Sequence, residues 1–247
     1  LALLLPDITN TFWTTVAPVT VFRGIRELPP GTTLTLDLGG PGGARVAART
    51  YWAPTYPERG APYPLAVEEA SEALLERLDA ATRLRMVRSD VPVGSYLSGG
   101  IDSSVIAALG RRHKEGTFRT FSIRFEDPEF DETPFQRLMA EHLRSEHFDV
   151  TCARGDIAEA FPDVVFHAER PVLRTAPAPL FLLSRLVREA GFKVVLTGEG
   201  SDEMLGGYDI FREAKVRAFW SREPRSARRP LLLERLYPYL ARSPASA

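Results

Sequence analysis

From residue 91 onward, short apolar runs alternate with longer segments whose apolar residues recur every three or four positions. Val91 to Leu97 is such a run, with a proline near its start, where a strand tolerates it. Ser98-Gly99-Gly100 then breaks it. Ser103 or Ser104 is placed to open a helix through Val105, Ile106 and Leu109. Thr117 to Phe125, rich in β-branched and aromatic residues, reads as a strand. Thr133-Pro134 marks a helix start, with an N-cap and a proline in the first turn. Phe135, Leu138, Met139 and Leu143 give that helix an apolar stripe. Phe148 to Thr151 is a short strand, and Asp156 can cap a helix through Phe166. Pro179 to Ala190 is helical, with Leu180, Leu183, Leu186 and Val187 on one side. Lys193 to Thr197 is a buried strand, and a helix resumes near Tyr208. Strands alternating with helices predict an α/β fold with a doubly wound parallel sheet. In such sheets ligands bind at the carboxyl ends of the strands.

The first fifty residues follow another pattern. Leu34, Leu36 and Leu38 alternate with polar residues, as in a half-buried strand. A glycine-rich turn at 39–43 leads to a return strand from Arg45 to Trp52. One hairpin does not bury a core alone. Residues 1–52 are therefore expected to be the end of a further, N-terminal domain. Proline-rich residues 53–64 read as a linker. Residues 65–247 form the second domain. It opens with a helix carrying Val67, Ala70, Leu74, Leu78 and Ala81, which ends near Arg88 ahead of Pro92.

Composition removes several classes. A net charge of −1 over 247 residues leaves no electrostatic footprint for nucleic acid. No run is long and apolar enough for a signal-peptide core or a membrane span, so a cytoplasmic protein is expected. The single cysteine, Cys152, excludes an intrachain disulfide, and no Cys/His zinc pattern occurs. A serine-hydrolase elbow, G-x-S-x-G, is missing too.

Candidate chemistry sits at two strand ends. Ser98-Gly99-Gly100-Ile101-Asp102-Ser103 is a glycine loop feeding a helix start, where free N–H groups and the helix dipole favour an anion. It is not a Walker A loop. Gly94 and Gly99 have that spacing, but Gly100 stands where lysine is required, and no lysine precedes Lys114. The loop must hold phosphate with N–H groups and hydroxyls. Asp102, inside it, would repel phosphate unless a cation lies between, which implies Mg²⁺. The second loop, Thr197-Gly198-Glu199-Gly200-Ser201-Asp202-Glu203, carries three acids within five residues. Acids are welcome at any helix start. On the same sheet edge as a phosphate loop, they suggest a metal–nucleotide site in which Asp102 and Asp202 share one Mg²⁺. The acids Asp131 and Glu132, just before a helix, read as structural and stay outside the catalytic set.

The first loop resembles the pyrophosphate loop of ATP pyrophosphatases, which cleave ATP to AMP and pyrophosphate. Ser89 to Ser104 is similar to the synthetase domain of glutamine-dependent asparagine synthetases. Gly198 to Glu203 with Gly206-Gly207-Tyr208 resembles that family's second signature, and Phe121-Ser122-Ile123 with Phe130-Asp131-Glu132 is also similar. Phe22 to Gly31 looks like the last part of the family's glutaminase domain, of which the hairpin would be a remnant. The resemblance implies an ATP-pyrophosphatase-type sheet binding ATP and Mg²⁺. It implies nucleotide contacts from Leu97, Ile123, Thr197 and Gly198. Pyrophosphate would be held by Ser98, Gly99, Gly100, Asp102 and Ser103. It makes Glu199 the candidate general base for ammonia, and places Arg174 and Thr175 near the amino-acid substrate. The implied reaction adenylates the side-chain carboxylate of aspartate, releases pyrophosphate, and forms the amide with ammonia derived from glutamine. A homodimer of the full-length protein is left open.

Three departures stand beside the resemblance. The glutaminase nucleophile is an N-terminal cysteine, but this chain opens on Leu1, and Cys152 reads as a buried structural thiol. Lys215 is the only lysine after the second loop and lies outside any motif, so the family's phosphate-contacting lysine is expected beyond Ala247. In Glu169-Arg170-Pro171 a small residue would be expected after the glutamate. Two rivals remain: a β-lactam-synthetase-like or other amidotransferase ligase acting on a different carboxylate, and an inactive nucleotide-binding fragment.

Overall fold

A computed structural model describes residues 14–39, 45–56 and 65–237. Most of the glycine turn, linker residues 57–64 and the segment from 238 onward lie outside the described residues. The hairpin forms as expected: β1 (Thr32–Asp37) pairs antiparallel with β2 (Arg45–Thr50). It is not half-buried. Leu34 and Leu36 are 52% and 51% exposed, because no described element covers their face.

A helix, α1 (Val67–Val87), leads into alternating strands and helices. These are β3 (Val93–Tyr96), α2 (Ile101–Arg112), β4 (Arg119–Phe125), α3 (Thr133–Leu143), β5 (Glu146–Cys152), α4 (Arg154–Ala168), α5 (Pro177–Glu189) and β6 (Val194–Leu196). A short α6 (Ser201–Leu205), α7 (Asp209–Trp220) and a 3₁₀ turn at Arg229–Arg235 follow. The four strands β3 to β6 form one parallel sheet in the order β5-β4-β3-β6. The chain runs outward from β3 to β5, then returns to place β6 on the other side of β3. That reversal opens a crevice between β3 and β6 at their carboxyl ends.

Strand alternation sends successive side chains to opposite faces. Leu97 and Phe118 pack with Ala107, Ala140 and Leu143 of α2 and α3 on one face. Phe121, Ile123, Phe148 and Val195 pack with Leu183, Leu186 and Val187 of α5 on the other. The sheet is thus covered on both sides, as a doubly wound fold requires. Buried hydroxyls in the strands are all satisfied. Thr120 bonds Ser145 Oγ and His147 Nδ1, each at 2.9 Å, and Ser122 donates to the Leu97 carbonyl.

The helix stripes are partly displaced from expectation. In α3, Phe135 and Leu138 are exposed, while Gln136, Ala140 and Leu143 are buried. The helix is rotated about its axis so that α2 and the sheet meet its smaller residues. Thr133 is the first helical residue rather than the cap, and Asp131 accepts its N–H at 3.2 Å. The Thr133 hydroxyl bonds the same carboxylate and is the first cause holding Asp131 below its usual pKa. Helix α4 starts at Arg154, before Asp156, whose carboxylate accepts the Ala153 N–H at 2.8 Å. It ends at Glu169, which turns into a left-handed conformation. Arg170 then reaches Glu27 at 3.0 Å, tying the N-terminal segment to the end of α4.

Phe121 is fully buried, so Phe121→Ala should cost about 3–5 kcal/mol in urea unfolding, whereas exposed Leu138→Ala should change little. Burial pushes the His147 imidazole below its ordinary value of 6.5. The unfolded chain then takes the proton more readily, so stability is whole above about pH 6.5 and declines as pH falls below it. His147→Gln should flatten that decline, measured as unfolding midpoints from about pH 7 to about pH 5.

Candidate active site

The crevice between β3 and β6 is a solvent-open cleft of about 270 Å³. One lip is the segment after β3. Leu97 is anchored by its N–H to the Phe121 carbonyl at 2.9 Å. Ser103 Oγ lies 2.7 Å from Ser98 Oγ and accepts the Ser98 N–H at 3.0 Å. Ser98 Oγ in turn accepts the Gly100 N–H at 3.1 Å. The two serines therefore fix the loop from within. Helix α2 starts at Ile101, earlier than the expected Ser103 or Ser104, so Asp102 lies in its first turn and not in the loop.

The other lip is the segment after β6. Gly200 has φ +89°, a left-handed turn suited to glycine, and Ser201 Oγ donates to the Gly198 carbonyl at 2.7 Å to start α6. Thr197, Gly198, Glu199 and Asp202 all line the cleft. Gly198 lies directly against the first lip. A Cβ there would come 2.7 Å from Ser103 N and 2.9 Å from the Asp102 carbonyl carbon, closer than packing allows.

Most of the residues expected at the site therefore meet. Leu97, Ser98, Gly100, Asp102, Ser103, Ile123, Thr197, Gly198, Glu199 and Asp202 line one cleft. Gly99 is in the loop, but its N–H is turned to Glu132. Arg174 and Thr175 are exposed on the segment before α5 and do not line the cleft.

The cleft also holds residues to which the sequence reading assigned no individual role. Tyr96, Phe121, Phe125, Leu180 and Leu183 add an apolar and aromatic surface. Gln136 is 3% exposed, donates to the Ile123 carbonyl at 2.9 Å, and leaves its Oε1 with no protein partner. Its burial carried no signal in the sequence, because the expected apolar stripe of α3 ran through Phe135 and Leu138 instead. Glu203 accepts the Tyr208 hydroxyl at 3.1 Å. That bond first, and the nearby acids after it, hold the Tyr208 phenol above its ordinary pKa.

Charge defines the chemistry of the site. Among the described residues five carboxylates line the cleft (Asp102, Glu132, Glu199, Asp202 and Glu203), and no Lys, Arg or His does. Asp102, Glu199 and Asp202 take no hydrogen bond or ion pair from any described side chain. Among the described residues no three metal-ligating side chains form a ready-made shell. The donor set still fits Mg²⁺, which is commonly held by one or two carboxylates with phosphate oxygens completing the octahedron.

The asparagine synthase family model matches residues 73–245. The chain belongs to the asparagine synthase family. It is 35% identical over 203 residues to asparagine synthetase [glutamine-hydrolyzing] 2 of Arabidopsis thaliana, covering 76% of this chain and 32% of that one. It is 33% identical over 207 residues to the amidase chyE of Penicillium rubens, covering 78% and 30%. The chain thus spans about a third of the length of these curated relatives. An NH3-dependent NAD synthetase from Campylobacter jejuni aligns at 17% identity with a TM-score of 0.39, over 56% of this chain and 60% of that one. No described helix is long and apolar enough to cross a membrane.

Gly198→Ala should force the two lips apart and cost about 1–3 kcal/mol in denaturant unfolding. Gly155→Ala, where an added Cβ meets open space, is the control and should be neutral or slightly stabilising.

Proposed function

We propose that this chain carries the ATP-dependent half of an asparagine synthetase. The observation that carries the reading is the meeting of a lysine-free phosphate loop with unpaired carboxylates across one cleft. A carboxylate is a poor electrophile and needs activation. In the proposed reaction the side-chain carboxylate of aspartate attacks the α-phosphorus of ATP, and the bond to the bridging oxygen breaks. Pyrophosphate leaves, and the N–H groups and hydroxyls of residues 98–103 stabilise the charge that develops on it. Mg²⁺, held by Asp102 and Asp202, would neutralise phosphate charge. The aromatic and apolar residues of β4 and α5, with Leu97, Ile123, Thr197 and Gly198, are suited to the nucleoside. Ammonia then attacks the acyl-adenylate, and Glu199 takes a proton from the attacking nitrogen while AMP leaves. The ammonia would come from glutamine on another part of the full-length protein.

A second reading is another carboxylate on the same machinery. It is favoured by the relative named as an amidase and by the position of Arg174 and Thr175 outside the cleft.

ATP–pyrophosphate exchange on the full-length protein separates the two. Exchange that depends on L-aspartate is expected; exchange only with another carboxylate overturns the asparagine assignment, and none with any carboxylate overturns the ligase reading. Asp102→Asn and Asp202→Asn should each lower exchange on the order of 10²-fold. Glu199→Gln should leave exchange largely intact while lowering amide formation about 10²- to 10⁴-fold.

A further inference from the structure

The three N–H groups of residues 98–100 all have acceptors. Ser98 and Gly100 are satisfied by the loop's own serine hydroxyls. Gly99 is different: its N–H donates to Glu132 Oε2 at 2.9 Å, from a residue 33 positions away at the start of α3. This is the one acceptor on the loop that comes from outside it, and the one that carries a full negative charge. Asp131 explains the structural half of the acid pair, since it receives the Thr133 N–H at the helix start. Glu132 has no such local task for its carboxylate. It is an exposed residue, so its side chain can rotate into water without uncovering the core.

A carboxylate on an N–H of a loop suited to phosphate has the charge and hydrogen-bonding character of a phosphate oxygen. Four further carboxylates line the same cleft, and no cation lines it among the described residues. A polyphosphate entering here meets Glu132 already bonded to Gly99, and the two anions repel at contact distance. We propose that Glu132 is a tethered stand-in anion: it occupies the Gly99 N–H while the cleft is empty, and pyrophosphate displaces it. The contact therefore sets a threshold for polyphosphate binding. This inference rests on the nucleotide reading above.

The sign of one measurement separates this role from simple support of the loop. Magnesium pyrophosphate binding is measured by calorimetry on the full-length protein, with thermal melts to establish folding. Removing a competitor tightens binding, whereas removing a support weakens it. Glu132→Ala should bind magnesium pyrophosphate on the order of tenfold more tightly than wild type, the equivalent of about 1.4 kcal/mol. Glu132→Gln keeps an oxygen that can accept the Gly99 N–H but loses the charge, so it should fall between the two. Should the alanine variant not fold, the glutamine variant decides by the same sign. Equal or weaker binding in the folded variants, with wild-type binding intact, overturns the stand-in role alone. Binding of neither pyrophosphate nor ATP by wild type and variants alike overturns the nucleotide reading and this inference with it.

Discussion

The two lips of the cleft meet because position 198 has no side chain. Backbone atoms of Asp102 and Ser103 occupy the space a Cβ would need, and backbone in a helix's first turn has little room to yield. Parallel pairing of Ser95 with Leu196 brings the strand ends level, and Gly198 then closes the remaining gap. Everything chemical about the site follows from that closeness. Hydroxyls and N–H groups of the first lip face the same space as carboxylates from both lips, Asp102 on the first and Glu199, Asp202 and Glu203 on the second.

That arrangement has an electrical consequence. A loop with no lysine offers only partial charges, while the carboxylates around it offer full negative ones. On the proposed reading such a cleft would repel a bare polyphosphate and accept its cation complex, which would make the metal an entry requirement as well as a source of charge stabilisation. Glu132 adds to this selection from a third direction.

The sheet was readable because parallel strands covered on both faces leave continuous apolar runs, as in Val194–Leu196. The glycine loops were readable because turns at strand ends constrain residue type. What local pattern did not reveal was rotation and reach. The apolar spacing in α3 was real, yet packing buried Gln136 and Ala140 and left Phe135 and Leu138 outside. Asp131 and Glu132 carry the same local signal. Asp131 makes a local bond to the Thr133 N–H, whereas only the placement of α3 beside the glycine loop sends Glu132 to Gly99. Alternation in β1 likewise identified a strand but not what faces it.

The order β5-β4-β3-β6 also has a kinetic meaning. Ser95 and Leu196 touch across 101 residues of chain, the last strand joining after two crossovers on the opposite side. A partly folded chain with β3 to β5 paired and β6 undocked has its phosphate loop but neither the acids of the second lip nor the closing contact at Gly198. On the proposed reading such a form would lack half of its ligand site. A nucleotide bound as proposed would then stabilise only the finished sheet, and by mass action would select against the half-assembled forms that long-range parallel pairing exposes to aggregation.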